Sequence, residues 1–398
     1  MNKKTYGLTL ILALLLSTVG PLLVGLVAAN PLAFLPAITI KSDGSVEPQT
    51  SFIRQDGNVY TLTGDLVQTY TIRIQCSNIV FDGGGHTIDG MSPKGYGYSV
   101  KGLSVEDVRN VTIKNLEVRG FTDRDVSLQS TTNSTVLNIK AGILQLEDSD
   151  FNTISRINLN RTDPFVPLLE LHHSDSNTFT ECSLADIYLI YSYGNNFFKN
   201  NIFVQYLSNV LVVAPNFWDD GSVGNYWSNY NGTDVNCDGL GDIPYTIKWG
   251  YSNDSSQDRF PLMYPWDPTK PIDRTPPSID VSSPQNKVYN DSSVALAFLV
   301  CEPVSWMGYS LNGQDNITVT GNTTLSGLGN GAYNLTVYAT DLAGNTGASE
   351  TCSFTVSAPF PIAPVAAIFG LAIGAATVCL LFNKRRSTAK LKSIKNES

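Results

Sequence analysis

Six segments of this 398-residue chain begin with asparagine and run into β-branched or aromatic residues; they start at Asn78, Asn110, Asn133, Asn152, Asn177 and Asn196. Successive anchors lie 32, 23, 19, 25 and 19 residues apart. A period near twenty is too short for a helical-hairpin repeat and suits one coil of a parallel β-solenoid. A second polar residue recurs five places later, at Asn115, Asn138, Cys182 and Asn201; the fourth unit has Ile157 there, with Asn158 beside it. Coils stacked about 4.8 Å apart would bring such amides within hydrogen-bonding reach of one another. The competing fold is an Asn-rich β-sandwich with accidental spacing. Apolar residues at alternate positions in each unit favour the solenoid.

The two ends of the chain read as targeting segments. Residues 1–29 have a basic start at Lys3 and Lys4, an apolar stretch from Leu8 to Leu16, and small residues Ala28 and Ala29 at a cleavage position, as in a secretory signal peptide. An uncleaved anchor is the alternative, opposed by Gly20 and Pro21 within the stretch. Residues 358–382 contain a charge-free apolar run from Pro364 to Phe382, long enough for one transmembrane helix. Lys384, Arg385, Arg386, Lys390, Lys392 and Lys395 follow, which assigns residues 383–398 to a cytoplasmic tail. The expected topology is a single-pass membrane protein whose N-terminal domains face outward. Setting aside Lys3, Lys4, those six basic residues and Glu397 leaves 18 basic against 34 acidic residues, a net charge near −16. Nucleic acid is excluded as a partner for so acidic a surface. Sequons at Asn110, Asn133, Asn160, Asn231, Asn253, Asn290, Asn316, Asn322 and Asn334 are candidate glycosylation sites, in keeping with that topology.

Between the ends the chain reads as all-β. Residues 30–49 form a Pro-containing lead-in, and 50–215 alternate short strands with Gly, Asn, Asp and Ser, as expected of a β-helix. Residues 216–268 are rich in Trp, Tyr, Asn and Asp and read as its C-terminal cap, and the Pro-rich 269–277 as a stiff linker. Strand-like runs at 294–301, 306–311, 317–319, 333–339 and 351–356 suit an immunoglobulin-like β-sandwich over 278–357. The Cys…Trp…Cys spacing of antibody domains is absent, because Trp306 follows Cys301 by five residues. Cys301 and Cys352 fall in the first and last long strands of this sandwich, where a disulfide would stabilise by about 4 kcal/mol. Cys76, Cys182 and Cys237 are an odd number, so at least one is expected free and buried, and Cys379 lies in the expected span.

Three groups of residues could carry chemistry. Asp234, Asn236 and Asp238 stand at positions 1, 3 and 5 of a short loop with Gly239 at 6 and Asp242 at 9, an arrangement able to wrap Ca²⁺. Position 12 is Tyr245 rather than a bidentate Glu, so the loop is not an EF-hand, and an Asx-rich turn without metal is the alternative. The aromatic residues Phe217, Trp218, Tyr226, Trp227, Tyr230, Tyr245, Trp249 and Tyr251 could stack on sugar rings or simply cover the apolar end of the coil. Asp123, Asp125, Glu147, Asp148, Asp150, Glu170 and Asp175 include carboxylates that a polysaccharide lyase or glycosidase would gather in one groove. They form no diagnostic motif. Three or more charged side chains converging in a groove would favour the enzyme.

The coils, together with Gly224 to Tyr230 (GNYWSNY), the loop at 234–242 running into Ile243, Pro244, Tyr245, Thr246 and Ile247, and Asp258 to Met263 (DRFPLM), resemble the NosD-like "periplasmic copper-binding" right-handed parallel β-helix family, in particular its archaeal cell-surface members. The likeness covers about residues 50–264. Tyr289 to Ser292 through Ala343 to Thr346 likewise resembles immunoglobulin-like modules appended to archaeal surface proteins. The resemblance implies the β-helix. Its copper label has no ligand set to receive it: the chain has only His86, His172 and His173, and adjacent histidines on a strand point to opposite faces. The function expected is a membrane-anchored, non-catalytic binding or scaffold protein, possible partners being carbohydrate or another surface protein. The alternatives are a polysaccharide lyase or glycosidase, and a copper-delivery accessory.

Overall fold

A computed structural model describes residues 36–68, 70–90, 100–159, 168–204, 210–212, 215–248 and 255–359, with 381, 384 and 385. The expected signal peptide lies outside the described residues, and the expected span and tail lie almost wholly outside them. Among the described residues no helix is long and apolar enough to cross a membrane. The chain divides into two compact units, residues 1–274 and 275–398.

The first unit is a parallel β-helix. One face stacks the strands Ala37–Ile40, Thr71–Ile74, Leu103–Glu106, Val126–Gln129, Leu144–Glu147, Leu169–His172, Ile187–Ile190 and Val210–Val212, all parallel. The register places equivalent apolar residues one above another. Ile72, Leu103, Val126, Leu144, Leu169 and Ile187 form one inward column, and Ile74, Val105, Leu128, Leu146, Leu171 and Leu189 the next. All are buried. The second sheet supplies a column of Tyr60, Phe81, Ile113, Val136, Ile154, Phe179 and Phe197. Truncating any of these to Ala would cost about 2–5 kcal/mol, because a stacked coil cannot collapse sideways into the void. The stack begins at Ala37, inside the expected lead-in, and gains a further parallel rung at Tyr226–Trp227, inside the expected cap.

Each coil turns corners through residues in the left-handed region. The pairs Asp107/Asn110, Ser130/Asn133, Asp148/Phe151, His173/Ser176 and Tyr191/Gly194 all have positive φ. A bulky residue there costs roughly 1–2 kcal/mol, so something must hold these corners. Two buried side-chain ladders do. Backbone N–H groups of Ser134, Asn152, Asn177 and Asn195 donate to the Oδ1 of Asn152, Asn177, Asn195 and Asn216 in the next coil, at 2.8–2.9 Å. Three residues earlier, the N–H groups of Thr131, Ser149 and Ser174 donate to the hydroxyls of Ser149, Ser174 and Ser192 at 3.0–3.1 Å. Ser-x-x-Asn therefore braces the turn twice per coil.

This register corrects the asparagine reading. Asn78 and Asn110 are joined by an exposed amide contact of 3.0 Å and share their column with Asn133, all three in the left-handed region. Asn152 and Asn177 belong to the neighbouring, buried column, and Asn196 lies one position beyond Asn195, its counterpart there. The second ladder splits likewise. Asn138 donates to Asn115 at 2.9 Å across a left-handed corner, whose column continues as Arg156, Glu181 and Lys199, with Arg156 and Glu181 ion-paired at 2.9 Å. Cys182 heads a separate buried column, its N–H donating to Asn200 Oδ1 and the N–H of Asn200 to Asn225 Oδ1.

That column ends on Asp258. Its Oδ2 accepts from the N–H of Asn225 at 2.7 Å and from Trp227 Nε1 at 2.8 Å, and its Oδ1 from the N–H of Phe260 at 3.1 Å. A Cβ on Gly224 would overlap this carboxylate, which explains the glycine. Above it the coil is closed by a ring stack, Phe197 on Trp218 at 4.7 Å and Trp227 on Tyr245 at 4.2 Å.

The second unit packs the three-stranded sheet Ile279–Ser283, Val294–Val300 and Thr323–Leu325 over a six-stranded sheet that includes Val304–Leu311, Gly331–Asp341 and Cys352–Val356. Val294, Leu296, Phe298, Leu335, Val337, Phe354 and Val356 fill the space between. The expected Cys301–Cys352 disulfide does not form. Cys301 is disulfide-bonded, whereas Cys352 is a free thiol donating to the carbonyl of Pro284 at 2.7 Å. Cys301 sits beside Ser278 at the start of strand Ile279–Ser283, and Cys352 beside Pro284 past its end. Six residue steps separate Ser278 from Pro284, about 20 Å along the strand against the ~7 Å limit for a bridge. Cys237 is also disulfide-bonded. Cys76 and Cys182 are free and buried, in line with expectation, and burial pushes the Cys182 thiol up to about 12.

Burial lifts the Asp258 carboxyl to about 6, against the opposing pull of its N–H donors. The folded state thus holds this proton to higher pH than the unfolded chain, so stability from this group falls as pH rises from about 4 to 6. Asp258→Asn removes the titration and sets an amide against a donor. In urea unfolding, the stability gap between wild type and this variant should narrow by roughly 2–3 kcal/mol between pH 4 and pH 7. A pH-independent gap would contradict the assignment.

Candidate functional site

The connections that return the second sheet of each coil to the first face differ in length. Six residues separate Thr112–Arg119 from Val126–Gln129, two separate Thr135–Ala141 from Leu144–Glu147, and nine separate Thr153–Leu159 from Leu169–His172. The short connection leaves a notch of about 410 Å³ beside Gly142. Its floor is Val118, Phe121 and Ala141, all buried. The Phe121 ring is held between Gly90 and Gly102, where a Cβ would strike it at 2.9 and 2.6 Å. One wall is the outward row Glu117, Lys140 and Asn158, which pair across adjacent parallel strands.

Polar groups around the notch fall into two kinds. Arg119 is held by Asp89 at 2.8 Å and Glu117 at 2.7 Å. Asp125 is buried and accepts from the N–H groups of Phe121, Gly142 and Ile143 at 3.2, 2.7 and 3.2 Å, which pins the corner. Lys140 and Asn158, in contrast, are exposed, and their side chains make no hydrogen bond or ion pair among the described residues.

Across the corner, on the first face, Arg124 bridges Asp123 at 3.0 Å and Glu170 at 2.6 Å. Gln145 donates to Glu170 at 3.4 Å, and His172 Nε2 lies 3.8 Å from it. Ser127 Oγ and Arg124 Nε are buried there without a partner among the described residues. Of the carboxylates considered for catalysis, Asp123 and Glu170 thus converge on one guanidinium. Asp125, Asp150 and Asp175 instead brace turns, the latter two accepting from the N–H groups of Asp175 and Tyr193 at 2.7 Å. Glu147 and Asp148 lie on the outer surface of the same coil.

The loop at 234–242 is a set of Asx turns. Asp234 accepts from the N–H groups of Asp238 and Gly239, Asp238 from that of Leu240, and Asp242 from that of Val235, at 2.7–3.1 Å. Asn236 donates its amide to Asp238 at 2.9 Å. Among the described residues the carboxylate oxygens of Asp234, Asp238 and Asp242 do not form a group within 4.8 Å of one another. Of the cap aromatics, Trp218 and Trp227 are buried in the ring stack and Tyr230 packs against Tyr245, whereas Phe217 is 60% exposed. Trp249 and Tyr251 lie outside the described residues. His86 contacts Asp65 at 3.1 Å and His173 stacks on Tyr191, so each histidine has a different neighbourhood. The sequons at Asn110, Asn133, Asn231, Asn290, Asn316, Asn322 and Asn334 are exposed; Asn160 and Asn253 lie outside the described residues. The notch itself is what the motifs missed. Its signal was the unequal distance between strand runs.

No family model matches the chain. It is 37% identical over 93 residues to the probable ABC transporter binding protein NosD of Stutzerimonas stutzeri, covering 23% of this chain and 20% of that protein. It is 39% identical over 95 residues to halomucin of Haloquadratum walsbyi, covering 22% of this chain and 1% of halomucin. The chain therefore spans a fifth or less of either relative. A crystal structure of a putative glycosyl hydrolase from Parabacteroides merdae aligns with 37% of this chain and 77% of its own, at 13% identity and a TM-score of 0.24, too low to carry an argument.

Asp125→Ala would leave three backbone N–H groups at the corner unpaired. It should lower stability by about 3 kcal/mol or more in chemical unfolding, and a change under 1 kcal/mol would show that Asp125 does not hold the notch.

Proposed function

We infer that this protein is a non-catalytic binding module displayed outside the cell, its β-helix carried on an immunoglobulin-like spacer and one C-terminal membrane span, with a glycan as the ligand. The observation that supports binding over catalysis is the division of labour at the notch. The carboxylates that a hydrolase would need are occupied by Arg119, Arg124 or backbone N–H groups. The groups left uncommitted are an ammonium and an amide, which recognise but do not cleave. A floor containing an aromatic ring beneath hydrogen-bonding walls suits a sugar ring. The acidic ectodomain and its exposed sequons accord with life at a cell surface.

The second reading is a lyase or glycosidase, and the meeting of Asp123, Arg124, Glu170 and His172 satisfies the convergence of three or more charged side chains expected to favour an enzyme. The two separate on one measurement. The soluble ectodomain, residues 30–357, incubated with neutral and acidic polysaccharides, should retain glycans on an array while releasing no reducing ends or unsaturated products over a day. Product formation abolished by Glu170→Gln would replace the binding reading with the enzyme.

Calcium belongs to this proposal as a weak ligand of Asp234, Asn236, Asp238 and Asp242. Their engaged oxygens keep a second lone pair, but an ion would have to draw the carboxylates together. At millimolar Ca²⁺, calorimetry should record binding and the melting temperature should rise by a few degrees, an effect removed by Asp238→Ala. Neither heat nor shift would leave the loop as a turn alone.

A further inference from the structure

We propose that the notch beside Gly142 selects an anionic sugar residue, a pyranose bearing a carboxylate or a sulfate, and that Lys140 is the group that reads its charge. This rests on the glycan-binding reading above and names the class of glycan.

The argument starts from which charges are already compensated. Arg119 donates Nε to Asp89 and Nη1 to Glu117, so one guanidinium faces two carboxylates. Asp125 is held by three backbone N–H groups, which stabilise its charge in place. These groups are spent on the fold. Lys140 lies between Glu117 and Asn158 in the outward row, yet it forms no ion pair among the described residues. A lysine with a carboxylate on the adjacent strand would ordinarily pair with it. Here Glu117 is turned to Arg119 instead, and Lys140 lines the notch without an ion pair of its own among the described residues.

Asn158 is the second uncommitted group. It is exposed, one strand from Lys140, and offers both a donor and an acceptor. Ammonium and amide side by side complement an anionic oxygen flanked by a hydroxyl, which is the pattern at the edge of a uronate or sulfated pyranose. Phe121 and Ala141 line the base of the notch but are almost wholly buried, so recognition rests on the polar groups at its rim. The volume, about 410 Å³, falls in the range of small-ligand sites and admits one or two sugar residues. Long-range repulsion from an acidic ectodomain is screened within a Debye length of about 8 Å at physiological salt, so the charges lining the notch set the contact: Lys140 beside the ion-paired Glu117 and Arg119 and the N–H-bound Asp125.

The test uses the ectodomain with three sets of oligosaccharides: uronate-bearing, sulfated, and neutral of the same length. Titration should give binding of one anionic set, weakened at least tenfold by Lys140→Ala, largely preserved by Lys140→Arg, and weakened severalfold by Asn158→Ala. The wild-type affinity should fall between 50 and 500 mM NaCl more steeply than that of Lys140→Ala. All three variants lie on the surface, and unchanged melting temperatures would show that they fold. Equal binding of neutral and anionic sets, or an anionic set bound undiminished by Lys140→Ala, would overturn the charge selection while leaving a glycan-binding protein. No binding of any set would overturn both readings.

Discussion

The fold depends on how a parallel coil satisfies its backbone at corners. Strands on flat faces pair with their neighbours above and below, but a chain turning through left-handed residues points N–H groups where no strand carbonyl waits. Buried, each such group costs about 1–3 kcal/mol. The Ser and Asn side chains at 149 and 152, 174 and 177, and 192 and 195 meet that need from inside, each accepting from the coil before it. Their amides also reach back to carbonyls, as Asn177 does to Ser149 at 2.9 Å. Hydrophobic burial drives the stack together, and these side chains decide where each coil bends.

Because the corners are fixed from within, the outer surface is free to vary. Residues as unlike as Phe151, Ser176 and Gly194 occupy one left-handed column, and Asn138, Arg156 and Glu181 another. The return connections vary most, from two residues to nine between neighbouring coils. A short return between longer ones makes a recess without any strand changing its path. Binding chemistry can thus be altered at the rim while the ladders and apolar columns stay as they are.

The sequence made some of this legible and hid the rest for identifiable reasons. Alternating Ile, Val and Leu revealed the parallel β-helix, and the strand runs of the second unit fall within two residues of those observed at most ends. Asparagine spacing showed that coils exist but misaligned them. Asn133 and Asn152 look equivalent in sequence, yet one faces solvent and the other is buried, because in this fold Ser can take the place of Asn in a rung, as Ser134 does. The cysteine pairing failed on direction. Cys301 follows the end of strand Val294–Val300 and Cys352 begins strand Cys352–Val356, and the two lie beside opposite ends of strand Ile279–Ser283. The notch could not be read from motifs at all, since it is made by a missing loop rather than by residues present.

Asp258 gives the buried column of Cys182, Asn200 and Asn225 a finite length. Every asparagine rung accepts from the coil before it and presents its own N–H to the coil after it, so the ladder has a direction and always leaves one donor at its growing end. Another asparagine passes the problem on. A carboxylate, accepting without donating along the same axis, ends it. In the language of polymers, Asp258 is the chain-stopper of a repeat that could otherwise add units indefinitely.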